Sequence, residues 1–377
     1  MNQSNESTKK LWLTLALLLI VIVLAVWMDR SSLHAFSASD ERNTKPSADS
    51  NETVNESANI TDTMLEMTTG TGEPIYKTPN EATKNTMTVT FLGECAPGSP
   101  FGTTAYGSLN ALAKENGHSY FFSELTSILG ADDLTIAANR CLFTDGEAAQ
   151  STLSVAPLEN ISIYSEASVD IIANLSPDIK GLFADTLRDW SAHGIALVES
   201  NTVHYMEING VEIAILYEHI EKNTDPVQLA NTVNNVKPYV DFVILYFHGG
   251  EEDSHTVEPW LKNTITSAVR AGASLVIGSG TNVLRPMETI DGVTVIYSLG
   301  SLVDGTKIVP ENAAALLQLK LTKNDAGEIF HEIFVIPTYV YSELWQPTVM
   351  NDEHDKAIVH QFLNGETPLP VKVGTEQ

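Results

Sequence analysis

Basic residues are scarce in this chain: 21 Lys and Arg stand against 48 Asp and Glu in 377 residues, a formal charge of −27. A surface of that sign repels nucleic acid and anionic lipid, so neither is expected as a partner through bulk electrostatics. Cysteine is nearly absent too, with only Cys95 and Cys141 present. The chain has no glycine-rich phosphate loop, zinc-type Cys/His spacing or Ser-His-Asp order. The motif-borne forms of nucleotide, zinc and serine-hydrolase chemistry are therefore not indicated. Charged residues, at 18%, are also few, whereas the 43% apolar content is that of a globular protein.

One long apolar run is present. In "KKLWLTLALLLIVIVLAVWMDR" the segment Leu11 to Met28 carries no charge, and as a helix it reaches about 27 Å, close to a bilayer core. Trp12 and Trp27 sit near its ends, and Lys9 and Lys10 precede it. That arrangement favours a cytoplasmic tail at 1–10 and an uncleaved signal-anchor at 11–28, although Arg30 and Arg42 weaken the charge asymmetry. A cleaved signal peptide ending near Ala35-Phe36-Ser37 is the alternative. Residues 29–85 are rich in Ser, Thr, Asn and Glu and almost free of aromatics. Such a tract cannot bury enough surface to offset its ordering entropy, so it reads as a flexible polar stalk. Asn51, Asn55 and Asn59 each open an N-x-[ST] triplet, which so polar a composition produces by chance. Everything beyond the stalk is expected outside the cytoplasm, on a single-pass protein of the cell membrane.

From position 86 to 341 the pattern becomes α/β. Apolar runs such as "MTVTFLGE", "LTIAANRC", "VDIIANLS", "VEIAILYE", "FVILYFHGG", "SLVIGSGTN" and "VTVIYSLGS" alternate with helical segments. Several runs are apolar at both alternate sets of positions, as expected of strands covered on both faces. Helices are expected in "SYFFSELTSILGADD", where Phe121 and Phe122 read as core, and in "IKGLFADTLRDWSAHGI", "PVQLANTVNNVKPYV" and "EPWLKNTITSAVRAGA". Gly130, Gly194 and Gly272 stand where a left-handed terminating residue is wanted. "ALLQLKLTKNDAGEIFHEIFVIPTYV" reads as an antiparallel hairpin. The expected fold is a mixed-sheet α/β domain followed by a C-terminal extension, 342–377. Function in such sheets gathers beyond the carboxyl ends of the strands. Those ends carry Glu94, Asn139-Arg140-Cys141, Asn174-Leu175-Ser176, His248, Ser279 to Asn282, and Ser298 to Ser301.

The blocks "TFLGECAPGS", "YFFSELTSILGADDLTIAANRCLFTD", "VILYFHGGEE", "RAGASLVIGSGTNVLRPMET" and "VIYSLGSLV" resemble, in order, those of the CapA/PgsA-type capsule (poly-γ-glutamate) synthesis proteins. The likeness covers most of Thr88 to Val303. It implies a calcineurin-like metallophosphoesterase fold, a layered α/β/β/α sandwich of mixed sheets, on a membrane-anchored bacterial protein of polymer assembly or export. It also implies a metal site built from Gly-Asp, Asn-Leu-Glu, Asn-Asn-His, His-Trp-Gly-Glu-Glu and Gly-His-His-Pro-His. This chain departs from nearly all of these motifs. Glu94 replaces the Asp, Ala138-Asn139-Arg140 replaces Asn-Leu-Glu, and Asn174-Leu175-Ser176 falls near Asn-Asn-His. Ser279-Gly280-Thr281-Asn282 replaces His-His-Pro-His, and His248, Gly250, Glu251 and Glu252 alone persist from the fourth motif.

A two-metal site must offset four positive charges with several anionic or imidazole ligands. The vestigial positions Glu94, Asn139, Arg140, Asn174, His248, Glu251, Glu252 and Asn282 offer too few, so no cofactor is expected. Glu94 and Arg140 instead suit an ion pair across adjacent strand ends, filling the former metal position. A single metal on His248 and Glu251, with Glu252, Asp253 and His255 nearby, is the weaker reading, and Mn, Fe or Mg would serve it. Cys95 and Cys141, past neighbouring strand ends, suit a disulfide in an oxidising compartment, against two free thiols. Arg285 in "VLRP" is a candidate contact for an anionic polymer or else a solvated side chain. The expected role is a non-catalytic scaffold or accessory factor for envelope polymer machinery. A reduced-site hydrolase around His248 and a ligand-binding sensor are the alternatives.

Overall fold

The computed structural model describes residues 85–145, 154–177, 186–306, 308–366 and Leu369, all within the second of two compact units, Asn59–Gln377. The predicted tail, anchor and stalk, 1–10, 11–28 and 29–85, lie outside the described residues except for Asn85. Among the described residues no helix is long and apolar enough to cross a membrane.

The strands follow the apolar runs. They begin with β1 (Thr86–Ala96), β2 (Ser99–Pro100), β3 (Leu134–Asn139), β4 (Cys141–Phe143), β5 (Ser154–Ala156) and β6 (Ile171–Asn174). Next come β7 (Ala196–Glu199), β8 (Thr202–Ile208), β9 (Val211–Ile220), β10 (Phe242–Gly249), β11 (Leu275–Ser279) and β12 (Leu284–Ile290). The last are β13 (Val293–Leu299), β14 (Ser301–Asp304), β15 (Ala314–Lys323), β16 (Ile329–Glu343) and β17 (Gln346–Val349). One sheet has the order β17-β16-β15-β1-β3-β6-β7 with β14 also paired to β1; the second has the order β12-β13-β11-β10-β9-β8. Both are mixed: in the first, parallel β1-β3-β6-β7 run to one edge with antiparallel β15, β16 and β17 on the other side, and in the second a parallel centre carries an antiparallel strand at each edge. A small third sheet, β2-β5-β4, stands beside them.

The two-sided apolar character of the runs sets the layers. Val89, Phe91, Ile136 and Leu317 from the first sheet meet Ile213, Ile215, Ile244 and Tyr246 from the second in one core. The alternate residues face outward: Ala137, Ile172 and Leu316 pack under Phe121, Phe122, Tyr164 and Trp190. On the far side Leu216, Leu245 and Val276 pack under the helices Pro226–Val236 and Pro259–Ala271. Two sheets packed on each other with helices on both outer faces is the layered arrangement expected from the sequence. The boundary drawn at 341 falls inside β16, and β17 completes the first sheet. Met350 and the helix Glu353–Leu363, through Val359, Phe362 and Leu363, then enter the inter-sheet core.

Local details differ from the sequence expectation where tertiary packing takes over. "SYFFSELTSIL" forms a 3-10 turn at His118–Phe122 and a short helix at Thr126–Leu129 rather than one helix. Gly272 does end its helix in the left-handed region, but Gly130 closes its turn at φ −83°. A capping device recurs at the amino edge of the parallel strands. Asp133, Asp170 and Asp241 each stand just before a strand and accept the N–H of Thr88, Thr135 and Glu212 on the neighbouring strand, all at 2.8 Å. Each returns its own N–H to the same residue's carbonyl, at 2.8–3.0 Å. Ser274 does the same for Val243. Short polar side chains thus satisfy donors that a parallel sheet leaves open at its edge.

Asp132 adds a cost at that edge. Burial pushes its carboxyl up to about 7, against hydrogen bonds from Thr90 and Thr135 and with help from the charges of Asp170 and Asp133. Its folded pKa lies above the ordinary value, so stability falls as pH rises from about 4 through about 7. Asp132→Asn is expected to stabilise the protein by roughly 1–3 kcal/mol at pH 8 and by almost nothing below pH 4. Denaturant unfolding at the two pH values checks this; equal gains at both would refute it.

Candidate functional site

The carboxyl ends of β1, β3, β10 and β11 meet at one end of the inter-sheet core. In β1 the pairing register to β3 slips between Phe91 and Glu94, and Glu94 regains alignment opposite Ala138 on one side and Ser301 on the other. Residues paired in parallel register face the same way, so Glu94 points inward beneath the second sheet. There His248 of β10 shares a rung with His219 of β9 and Ser279 of β11. The two imidazoles lie side by side, ring centroids 5.8 Å apart. Glu94 is 2% exposed and its Oε2 lies 3.5 Å from His248 Nδ1.

Arg140 follows β3 directly, its N–H held by the carbonyl of Cys95. The guanidinium turns into the cluster and donates from Nη1 to Glu94 Oε1 at 2.8 Å and to Asn282 Oδ1. Nη2 lies 3.8 Å from the half-exposed carboxylate of Glu252. Asn282, in the left-handed region at φ 61°, donates in turn to Asp253 Oδ1 at 2.8 Å. The pair expected from the sequence is therefore formed, with the Arg140 side chain only 13% exposed. Burial alone would push Glu94 up strongly; Arg140 and His248 together outweigh it and bring the carboxyl down to about 2. The same pairing raises Arg140, against the opposing effect of burial.

Other sequence candidates are placed elsewhere by strand alternation. Asn139 and Asn174, one residue on from the inward rung, face the outer layer, where Asn139 Nδ2 donates to Asn174 Oδ1 at 3.0 Å and Tyr164 donates to Asn139 Oδ1 at 3.0 Å. They tie two strand ends together and do not join Glu94. Glu251 is exposed and contributes its main chain: its N–H donates to Glu258 and its carbonyl accepts from Arg285. His255 turns away to bridge the Leu284 carbonyl at 2.7 Å and Glu311 at 3.0 Å. Among the described residues no group of three or more His, Cys, Asp or Glu side chains is arranged to hold a metal ion. A two-metal centre does not fit these residues, because a guanidinium already holds the carboxylate that would be a ligand.

Two expectations are corrected. Cys95 and Cys141 are buried and free, not bridged. Cys95 is level with Asn139 in the β1–β3 register, and Cys141 lies two residues further on in β4, which pairs with β5 in the small sheet. Burial pushes both thiols far up, so they stay protonated and inert. Arg285 is neither solvated nor a surface contact: its side chain is fully buried and grips Glu258 bidentately at 2.8 and 3.0 Å. Nε donates to the Ser254 carbonyl and Nη2 to that of Glu251, at 2.8 and 3.0 Å. Gly250, at φ +104°, leaves room for this guanidinium, which any Cβ there would strike. Arg285 thus fixes the loop that follows His248. Asp304, 2% exposed at the end of β14, was missed in the sequence; burial raises its carboxyl, with Arg140 and Glu94 acting on it from nearby. The apolar run "SLVD" ending in an acid is the signal that could have found it.

Removing one partner of a buried pair strands the other charge. Arg140→Glu is expected to cost about 3–5 kcal/mol, and Glu94→Gln/Arg140→Gln to cost less than the sum of its single changes. Because Glu94 is depressed in the folded state, its contribution is full above about pH 4.5 and fades as pH falls toward 2. Unfolding titrations across that window should show a steeper acid loss for the parent chain than for Glu94→Gln; parallel curves would refute the pairing.

Comparison with known proteins bears on residues 88–306, which match the family model "Bacterial capsule synthesis protein PGA_cap". The PGA biosynthesis protein CapA of Bacillus subtilis (strain 168) is 26% identical over 200 residues, 49% of this chain and 52% of that protein. The chain thus spans about half the length of this curated relative. Among solved structures, a hypothetical protein from Thermus thermophilus aligns at TM-score 0.42 and 16% identity, covering 67% of this chain and 99% of that one. TT1561 of the same organism aligns at 0.36 and 14%, covering 65% and 97%. With the matched region taking in β1 through β14 and every residue of the Glu94–Arg140 cluster, the chain belongs to the bacterial capsule synthesis protein family PGA_cap.

Proposed function

We propose that this chain is a membrane-anchored, extracytoplasmic factor in the biosynthesis or export of an envelope polymer such as poly-γ-glutamate, and that it works there without hydrolytic chemistry. Family membership supports the pathway, and the apolar run at 11–28 supports the anchor. The observation that carries the non-catalytic part is the guanidinium of Arg140 seated on Glu94. A fixed positive charge in hydrogen-bond contact with a ligand position repels a divalent cation and occupies the carboxylate that would neutralise it.

The formal charge of −27 bears on what is contacted. A polyanion gains nothing by approaching such a surface without a basic cleft. The working partners are therefore the proteins of the synthesis machinery, and the folded unit is a scaffold for them at the membrane.

Complementation in the source bacterium tests both parts. Deletion should lower the extracellular polymer, and the parent chain and His248→Ala should restore it equally, while the purified full chain carries far less than one Mn, Fe or Zn per molecule. Loss of rescue by His248→Ala together with stoichiometric metal would overturn the non-catalytic reading, and unchanged polymer on deletion would overturn the pathway.

A further inference from the structure

Beside the Glu94–Arg140 cluster a cleft of about 290 Å³ opens past His219 and His248. Trp260, from the first turn of the helix Pro259–Ala271, forms one wall, and Glu221, Lys222 and Glu252 stand at the rim. Gly280 faces it at φ +97°, where an added Cβ would lie 2.7 Å from the His248 ring. A second cleft, about 500 Å³, shares His219 and Glu221 with the first. Its lining changes character: Asn201, Asn223, Thr224, Gln228 and Thr232 bring neutral amides and hydroxyls, and among the described residues that line it there is no Lys or Arg.

From these features we infer that the two clefts form one groove that binds a neutral glycan chain, Trp260 stacking on a sugar ring and the amides and hydroxyls of the second cleft pairing with sugar hydroxyls. A pyranose has an apolar C–H face and a polar rim, and the groove supplies an indole wall followed by neutral hydrogen-bonding groups that both donate and accept. The acids Glu218, Glu221 and Asp225 in the second cleft accept well from hydroxyls but oppose a polyanion. An isolated phosphate or carboxylate site would instead converge Arg or Lys donors. The two volumes, about 290 and 500 Å³ with His219 and Glu221 lining both, offer more room than one sugar ring fills and suit an oligomer. This assignment rests on the groove alone and stands or falls separately from the capsule role.

Saturation-transfer NMR on the full chain, solubilised in a detergent without a sugar headgroup, tests it. The probes are the N-acetylglucosamine tetramer, a neutral glucan tetramer and poly-γ-glutamate. Transfer to the ring protons of either tetramer is expected, with a dissociation constant of about 0.1–1 mM, in the range of ordinary ligand efficiency. Which tetramer binds more tightly identifies the glycan type. Trp260→Ala, and separately the exposed pair Asn223→Ala/Gln228→Ala, should each weaken binding about fivefold or more. The second variant lies on the surface and tests the groove even if Trp260→Ala disturbs packing. Absence of transfer to both tetramers, transfer to poly-γ-glutamate alone, or glycan binding unchanged in the Asn223/Gln228 variant would each overturn the assignment.

Discussion

A carboxylate taken out of water at the rim of a hydrophobic core is costly unless a cation meets it there. Glu94 is such a group, and the guanidinium of Arg140 is the cation that meets it. Much of the site's architecture serves that contact. Asn282 holds the same guanidinium from the second sheet, and Asp253 holds Asn282. His248 faces the remaining oxygen of Glu94. The pair itself lies within the first sheet; Asn282 and His248 link it to the second, beside other polar ties such as Tyr246 to the Leu92 carbonyl and Lys323 to Asp241. The positive charge at the rim is thus supplied covalently, by the chain's own guanidinium.

The second support is Arg285, and its role differs. It reaches no cleft and meets no solvent; it binds the carboxylate of Glu258 and two carbonyls of the loop after His248. A planar, permanently charged fork is suited to such a task, because it organises several acceptors at once. The loop so fixed presents Glu252 toward Arg140 and Asp253 toward Asn282. Two buried arginines in a strongly acidic chain are therefore both spent on internal order. The surface that remains carries an aromatic wall, Trp260, and neutral amides beside His219.

Most of the fold was legible as pattern. Apolar runs such as "VILYF" and "LTIAA" gave β10 and β3, and the Asn-Asp-Ala-Gly turn gave the β15–β16 hairpin. Less legible were β8 and β12, edge strands whose outward residues mix polar with apolar, and the β2-β5-β4 sheet, whose strands are two or three residues long. The C-terminal extension carried no strong period, yet Phe362 and Leu363 complete the core, because a site between sheets accepts apolar side chains from any direction. Gly130 was misread for a similar reason: its short helix passes straight into another turn and needs no left-handed stop.

By itself the sequence determined which residues stand at strand ends and that Glu94 and Arg140 could pair, since these depend on residue type and order along one chain. Tertiary structure decided which way each strand end faces. One residue of register sends Glu94 inward and Asn139 outward, while packing leaves Cys95 and Cys141 buried and unbridged and buries Arg285 against Glu258. A strand's two faces are chemically equivalent until a second sheet covers one of them, and only that packing tells a site residue from its neighbour.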